Sequence, residues 1–205
     1  DVPELLARGD ARLPLVRDPD VSYYLRHERH GFILGPYEWD ARVHWQDGIP
    51  DQFAHQLFDD DTDRLEKYIE DACLRVPQLG SVGIKRVING PFTFTPDGNP
   101  IVGPVQGVQN FWLACGVMAG FSQGGGVGLT LAQWMVEGEP ERDVFAMDCA
   151  RFGAWITPGY TVPKVVENYQ RRFSVSYPNE ELPAARGLRR TPMYDHFSAM
   201  GAVWG

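Results

Sequence analysis

The stretch that decides the fold is residues 111–138, FWLACGVMAGFSQGGGVGLTLAQWMVEG. It opens with the short apolar run Phe111–Cys115, which is typical of a strand buried on both faces. Six glycines then occur within positions 116–128, and Leu129–Val136 has the composition of a helix. Because glycine often ends a helix, Gly138 predicts where this one stops. The stretch therefore predicts a strand, a glycine-rich loop and a helix.

Six glycines in so short a segment need a physical reason, since each costs up to about 1 kcal/mol relative to alanine inside a regular element. The loop precedes a helix, so its free N–H groups and the helix dipole would favour an anion or an electron-rich ring edge. A reduced flavin, whose N1–C2=O edge is anionic, is one such ligand. Close packing of the helix on the strand explains the glycines equally well. A pyrophosphate-binding fingerprint fits poorly, because no βαβ unit surrounds the loop.

The residues before this stretch predict further strands. Val21–Arg26 and Gly31–Gly35 are aromatic and β-branched runs on either side of a charged connection, which is the pattern of an antiparallel hairpin. Gly83–Ile88 and Phe92–Thr95 are also strand-like. After them, Pro96-Asp97-Gly98 supplies the residues of a tight turn. We expect these strands to form one mixed or antiparallel sheet.

One helix is predicted before the glycine-rich segment, over residues 61–76. Its apolar side chains recur every three or four positions and so share one face: Leu65, Ile69, Cys73 and Val76. Asp63 with Glu66 three residues later resembles a capping box, and Asp60, Asp61 and Thr62 are competing caps. Pro77 with Gly80 predicts the end of the helix. We expect this helix to flank the predicted sheet.

The two ends of the chain carry weaker patterns. Residues 1–20 are charged and interrupted by proline, so we interpret them as a loop or a frayed helix. Residues 141–170 predict an aromatic-rich linker. Residues 171–205 hold a basic cluster and predict the start of another module: Arg186, Arg189 and Arg190. The chain begins without methionine and stops without a polar tail, so we expect both ends to be cuts through a longer protein.

Composition excludes several classes of protein. With 43% hydrophobic and 12% aromatic residues, the chain has enough apolar material for a core, which excludes intrinsic disorder. A net charge of −8 argues against nucleic acid or an anionic membrane as a partner. No apolar run approaches the roughly 20 residues of a membrane span. Three widely spaced cysteines indicate neither a disulfide framework nor a zinc site, so we expect a reducing compartment.

No metal site is predicted. The five histidines lack cysteine or carboxylate partners at the spacing of metal ligands: His27, His30, His44, His55 and His196. The acidic run Asp59–Asp61 precedes a helix and lacks the glycine and terminal glutamate of a calcium loop. We therefore interpret the run as charge that complements the helix dipole.

Several ordered segments carry a family resemblance. Thr95–Pro104, Asn110–Gly116 and Gly125–Gly128 resemble the closing segment of flavin-dependent amine oxidoreductases of the D-amino-acid oxidase superfamily. The sarcosine and dimethylglycine dehydrogenase branch is the most similar. Four further stretches are similar to that branch: Tyr23–Arg26, Gly35–Glu38, Ile88–Pro91, and Tyr177–Glu181 through residues 201–205. The resemblance therefore covers nearly the whole chain in the family's order.

The resemblance implies an α+β fold made of the later parts of a flavoenzyme. Residues 1–110 would be a mixed, antiparallel substrate-binding sheet with a flanking helix, and residues 111–140 the last strand, glycine-rich loop and helix of an FAD-binding domain. Residues 141–170 would be the linker, and residues 171–205 the start of a central, aminomethyltransferase-like module. The chain would lack the N-terminal Rossmann unit, because it contains no Gly-x-Gly-x-x-Gly motif of that kind.

The same resemblance implies two sets of site residues. The cofactor-binding set would lie beside the isoalloxazine ring of FAD: Gly120, Phe121, Ser122, Gln123, Gly124, Gly125 and Gly126. Several relatives have a histidine where Gln123 stands, which leaves a hydrogen-bonding role at this position and no titrating one. Tyr23 or Tyr24 would supply an aromatic hydroxyl to the substrate pocket. Side chains alternate along a strand, so only one of the two can do so, and Tyr24 is favoured as the catalytic residue.

The implied activity is oxidation of N-methyl glycine derivatives, such as sarcosine or dimethylglycine, or of related N-methyl amines, with hydride transfer to N5 of FAD. Tetrahydrofolate in the full-length protein and an electron-transfer flavoprotein are further expectations, and the chain alone should be inactive. The expected location is cytoplasmic, or the mitochondrial matrix in a eukaryote. Two alternatives stay open: a non-catalytic interaction module of a larger flavoprotein, and folate-dependent methyl-group transfer that resides downstream.

Overall fold

A computed structural model describes residues 2, 13–178 and 180–203. They divide into two compact units. The first comprises residues 1–91 and 169–177, and the second comprises residues 92–168 and 178–205. Both units combine short helices with small antiparallel sheets, which confirms the mixed α and β character expected from the sequence. Among the described residues, none of the helices is both long enough and apolar enough to cross a membrane.

The sheet of the first unit has three antiparallel strands: β1 Val16–Asp18, β2 Tyr23–Glu28 and β3 Gly31–Pro36, in the order β1-β2-β3. The predicted hairpin is confirmed as β2 and β3. Strand β1 shows that residues 16–18 were wrongly interpreted as part of a loop or frayed helix. At three residues, β1 is too short to show the alternation that predicts a strand. It pairs with the first half of β2.

The predicted helix is confirmed as α1, Glu66–Arg75, which follows a 3-10 turn over Asp63–Leu65. The capping box is wrong, because no side chain caps either element. A backbone hydrogen bond is formed there instead, in which the N–H of Leu65 donates to the carbonyl of Thr62 at 2.9 Å. A second 3-10 turn, Pro77–Ser81, follows the helix.

The core of the first unit lies between α1 and the sheet. The most buried helix side chains, Tyr68 and Ala72, lie beside the predicted apolar stripe rather than on it. Ala72 packs with Tyr23 and Leu25 of β2, and all three are at most 2% exposed. The face of β2 that carries Tyr23 and Leu25 is therefore the core face of the sheet.

Two predicted strands are wrong: Gly83–Ile88 and Phe92–Thr95 are irregular. Asn89, the residue after the first segment, forms hydrogen bonds with another loop instead of pairing with a strand. The N–H of Phe58 donates to the carbonyl of Asn89 at 2.8 Å, and the Asn89 side chain donates to the carbonyl of Asp59 at 2.7 Å. These loop-to-loop bonds stabilise the segment without sheet pairing.

The second unit contains a two-stranded antiparallel sheet, β4 Ile101–Pro104 and β5 Trp112–Cys115. The predicted strand in 111–115 is therefore confirmed, but burial on both faces is not, because Ala114 and Cys115 are exposed. Among the described residues β5 has one strand neighbour, so its other edge is uncovered. The predicted turn is confirmed by Gly98, which has φ +71° and donates its N–H to Thr95 at 3.2 Å.

In the described part of the chain, three α-helices follow β5: α2 Gly120–Glu137, α3 Pro158–Gln170 and α4 Tyr194–Ala199. The predicted end of α2 is confirmed, because Gly138 is left-handed and its N–H donates to Trp134 at 3.1 Å. Helix α3 lies within the segment interpreted as a linker. Pro158 stands at the first position of the helix, where proline is tolerated, but Pro163 lies inside it and obscures the helix in the sequence. The proposed domain boundaries stay predictions.

Candidate functional site

The glycine-rich segment is helical, not a loop. Helix α2 begins at Gly120, so Gly124, Gly125 and Gly126 lie in its first two turns. The N–H groups of Ser122 and Gln123 donate to the carbonyl of Ala119 at 3.0 and 2.9 Å, which starts the helical bonding. The expectation of a loop failed because glycine's low helix propensity is only a weak prior that the surrounding fold can override.

The first turn of α2 has the chemistry of an anion-binding helix end. The first N–H groups of any helix have no intrahelical acceptor, and here those of Gly120 and Phe121 precede the first bonded ones. The residue at the cap is Ala119, whose side chain accepts no hydrogen bond. The partial positive charge of the dipole is therefore open to a negatively charged group.

The glycines of α2 are not explained by packing among the described residues. A Cβ added at Gly120, Gly124, Gly125 or Gly126 would have nothing within 4 Å. By contrast, a Cβ at Gly116 would lie 2.6 Å from the Thr95 methyl carbon. Close packing thus explains Gly116, whereas the α2 glycines leave a surface that a flat ligand could approach closely.

Two further side chains border this surface. Phe121 is fully exposed. Gln123 is half-buried, and its Oε1 is shielded from solvent without a hydrogen-bond partner among the described residues. A buried acceptor without a donor costs free energy, so a donor from a bound group would be favourable there. The cofactor-binding residues predicted from the sequence are therefore adjacent on one helix end, where the N–H groups of Gly120 and Phe121 are free to donate and Gln123 Oε1 is free to accept.

Tyr23 and Tyr24 point to opposite faces of the first unit's sheet. Tyr23 is fully buried in the core, and its hydroxyl has no partner among the described residues. Burial, the largest cause, raises the pKa of Tyr23, and the nearby Asp18 carboxylate raises it further. Tyr24 lies on the other face, where its ring crosses β3. A Cβ added at Gly35 would lie 2.1 to 2.4 Å from three atoms of its phenol end.

A segment that sequence reasoning missed covers this second face. Phe173 is 8% exposed and lies 4.8 Å from the Tyr37 ring and 6.5 Å, edge-on, from the Tyr24 ring. Tyr169 donates its hydroxyl to Glu38, and burial with this carboxylate raises the pKa of Tyr169. Tyr169 lies in the last turn of α3 and Phe173 in the turn that follows it, and their four-residue spacing is the signal in the sequence that could have linked them.

Other predicted features have plain structural roles among the described residues. Within the part of the chain that the structure describes, no group of three histidine, cysteine or acidic side chains could hold a metal ion, and the three cysteines are free thiols. In the basic cluster, Arg186 pairs with Glu181 at 3.4 Å and Arg190 with Asp195 at 3.3 Å. Arg189 lies over the ring of Trp155. Tyr24 belongs to the first unit and the α2 glycines to the second.

Comparison with known proteins decides the family. The sequence family described as FAD dependent oxidoreductase matches residues 2–134, which is more than half of the chain. The chain belongs to the FAD-dependent oxidoreductase family. A second description, FAD dependent oxidoreductase central domain, matches residues 137–191. Because the chain belongs to this family, FAD is the cofactor to consider at the N-terminal end of α2.

Three relatives illustrate the family. The chain is 43% identical over 183 residues to human mitochondrial dimethylglycine dehydrogenase, covering 87% of this chain and 21% of the relative. It is 38% identical to mouse mitochondrial sarcosine dehydrogenase, over 96% of this chain and 21% of the relative. It is 34% identical to the formaldehyde-forming 4-methylaminobutanoate oxidase of Paenarthrobacter nicotinovorans, over 94% of this chain and 24% of the relative. The chain thus spans about a fifth of the length of these relatives.

Proposed function

We propose that this chain is part of an FAD-dependent enzyme that oxidises N-methyl glycine derivatives or related N-methyl amines. The observation that carries the proposal is the start of α2, where glycines without packing partners surround an uncapped helix end in a member of an FAD-dependent family. The names of the relatives supply the substrate class: dimethylglycine, sarcosine and 4-methylaminobutanoate.

When bound, FAD would supply the hydride acceptor. The N–H groups of Gly120 and Phe121, with the helix dipole, would stabilise negative charge at the edge of the ring. The bare Cα atoms of Gly124 and Gly125 would let the backbone come close to it. Gln123 would accept a hydrogen bond through its orphaned Oε1. The hydroxyl of Tyr24 would orient the neutral amine for loss of a hydride from its N-methyl carbon.

Several finer points belong to the same proposal. Tetrahydrofolate would act in the full-length protein, where it would capture the one-carbon unit, and an electron-transfer flavoprotein would accept electrons. Two of the relatives named above are mitochondrial, so a eukaryotic form of this protein would belong in the matrix and a bacterial form in the cytoplasm. A non-catalytic interaction module is the less economical alternative, since it gives no reason for glycines that cost helix stability.

The direct test is anaerobic reduction of the full-length protein. Addition of dimethylglycine or sarcosine should bleach the absorbance of the bound flavin, while glycine, which has no N-methyl group, should not. Absence of bleaching by any N-methyl amine, in protein that carries stoichiometric FAD, would contradict the proposal.

Substitution of the α2 glycines should have opposite effects on stability and on cofactor binding. Gly124→Ala or Gly125→Ala should raise the free energy of unfolding of the full-length apoprotein by about 0.5–1 kcal/mol, because alanine favours the helix and has open space for its Cβ. The same substitutions should weaken FAD binding about 10-fold or more, because the methyl group would occupy the ligand surface. Calorimetry and fluorescence titration with FAD measure the two effects.

Gly159→Ala is the matched control, since Gly159 lies in the first turn of α3 and its nearest atom is 3.8 Å from an added Cβ. It should stabilise the protein without changing FAD affinity. Unchanged FAD affinity in both α2 variants would show that the ligand does not approach these glycines.

Tyr24 and Tyr23 provide a second internal comparison. Tyr24→Phe should lower turnover about 10-fold or more if its hydroxyl orients the amine. Tyr23→Phe should leave turnover unchanged and raise the free energy of unfolding by about 1 kcal/mol, because it removes a buried hydroxyl that has no partner among the described residues. Steady-state kinetics and thermal unfolding of the full-length variants measure both, and equal turnover in the two variants would exclude Tyr24 from the reaction.

A further inference from the structure

Arg17 occupies a defined position on the face of the sheet that carries Tyr24. It lies in β1, directly opposite Tyr24 in the antiparallel register. Residues opposite one another in such a pair project to the same face, with Cβ atoms about 4.5–5.5 Å apart. The guanidinium of Arg17 and the phenol of Tyr24 therefore belong to one surface, opposite the core face that holds Tyr23.

The guanidinium of Arg17 is held in place by the segment that covers this face. Its central carbon lies 4.1 Å from the centroid of the Phe173 ring, and one of its N–H groups donates to the carbonyl of Arg172 at 3.1 Å. Phe173 is buried and also meets the Tyr24 ring edge-on. The cation and the phenol are thus arranged around one buried aromatic ring, which limits the freedom of both.

The charge of Arg17 is not neutralised within the described residues. Several other arginines of the same unit pair with carboxylates, among them Arg26 with Glu28 at 2.5 Å, Arg64 with Glu38 at 2.5 Å, and Arg75 with Asp18 at 3.0 Å. Arg17 has its backbone acceptor and the Phe173 ring, and no described carboxylate within ion-pair distance. The rest of its planar fork of N–H donors matches the geometry of a carboxylate.

The substrates named for the relatives share a second group besides the N-methyl amine. Dimethylglycine, sarcosine and 4-methylaminobutanoate each carry a carboxylate, at one or three carbons from the nitrogen. We propose that Arg17 binds the carboxylate of an N-methyl amino acid whose amine is oriented by Tyr24. This inference rests on the proposed function, and it assigns to the site an electrostatic requirement for an acidic substrate.

The test compares an acid with its uncharged isostere in the full-length enzyme. Arg17→Gln should raise the KM for N,N-dimethylglycine about 10- to 100-fold, since a charge-assisted bidentate contact is lost. The KM for N,N-dimethylglycinamide should stay within about 3-fold of the wild-type value, and kcat for both should change little. The control is Arg26→Gln, because Arg26 lies on the same face and is exposed and paired with Glu28. It should leave both KM values unchanged.

A binding measurement without turnover gives a second readout. (Methylthio)acetate keeps the carboxylate and replaces the amine by a sulfide, so its binding can be followed by the change in flavin absorbance. Its Kd should rise about 10- to 100-fold in Arg17→Gln and stay unchanged in Arg26→Gln. Should Arg17→Gln lose FAD, Arg17→Lys keeps the charge but loses the fork, and the acid should again be affected more than the amide.

The outcomes distinguish failure of the carboxylate assignment from failure of the proposed function. An Arg17 variant that impairs acid and amide equally, or neither, overturns the carboxylate assignment, while oxidation of both compounds by the wild type keeps the proposed function. A wild-type enzyme with bound FAD that oxidises no N-methyl amine, these two compounds included, overturns the proposed function and the assignment together. A selective loss for the acid supports both.

Discussion

Replacing Arg151 by methionine is expected to lower the free energy of unfolding by about 3 kcal/mol. The Arg151 side chain is 6% exposed and donates from Nε to one Asp97 oxygen at 2.7 Å and from Nη2 to the other at 3.0 Å. It also donates to the carbonyls of Asn99 at 3.1 Å and Asp148 at 3.0 Å. Methionine would keep the hydrophobic bulk but leave these acceptors without their donors, which is costly although Asp97, at 36% exposed, recovers part of its hydration.

Thermal unfolding of the full-length apoprotein by calorimetry measures this loss. The control is Arg186→Met, since Arg186 and Glu181 are 44% and 65% exposed and 3.4 Å apart. An exposed pair of this kind contributes about 1 kcal/mol or less. Equal destabilisation by the two substitutions would show that the buried fork on Asp97 has no special role.

The same pair makes stability depend on pH. Burial acts to raise the pKa of Asp97, but hydrogen bonds from Arg151, the Asn99 N–H and Thr95 outweigh it, so the pKa is lowered overall. A carboxyl with a lowered folded-state pKa stabilises the fold above its unfolded pKa, about 3.9, and loses that contribution as pH falls through the folded value. The wild type should therefore lose more stability than Arg151→Met on acidification below about pH 4.

Gly103→Ala is expected to destabilise the protein by about 2–4 kcal/mol. Gly103 lies in β4 with φ +117°, a conformation that a side chain disfavours. A Cβ there would also lie 2.8 and 2.9 Å from two ring atoms of Trp134, which packs α2 onto the sheet. Because the clash would displace α2, FAD retention should fall along with stability.

Gly107→Ala separates the two causes. Gly107 also has positive φ, at +80°, but an added Cβ has nothing within 4 Å. This substitution should therefore cost only the backbone strain, about 1–2 kcal/mol, and leave FAD retention unchanged. Calorimetry and the flavin-to-protein absorbance ratio of the purified full-length variants measure both effects. Identical behaviour of the two variants would mean that the contact with Trp134 does not position α2.

Local sequence patterns predicted the parts of the fold that depend on local interactions. The hairpin of β2 and β3, helix α1 and the glycine that ends α2 all follow from periodicity or backbone freedom within a few residues. The contacts that were missed join distant positions. Tyr169 bonds to Glu38 across 131 residues, and Arg17 to Arg172 across 155. No pattern within one window of sequence contains such a pairing.

The candidate site also combines residues that local motifs predicted with one that depends on distant contacts. The α2 residues and Tyr24 came from motifs whose order resembles a family, and the structure places the former on one helix end and the latter on the face opposite the core. The motifs did not show that the glycine run is helical, because its composition favours a loop. The sequence did not indicate a binding role for Arg17, because its position depends on the strand register and on a contact with Phe173, which is distant in the chain.

The outer face of α2 has a practical consequence for production of the chain. Among the described residues, nothing covers Phe121, Leu129 or Val136, which are 112%, 62% and 83% exposed. Exposed apolar side chains of this kind promote self-association. Expressed alone, these 205 residues should therefore be prone to aggregation. Substitution of Leu129 and Val136 by lysine or glutamate, which leaves Phe121 of the candidate cofactor site unchanged, would be the first remedy to try when samples of this segment are prepared.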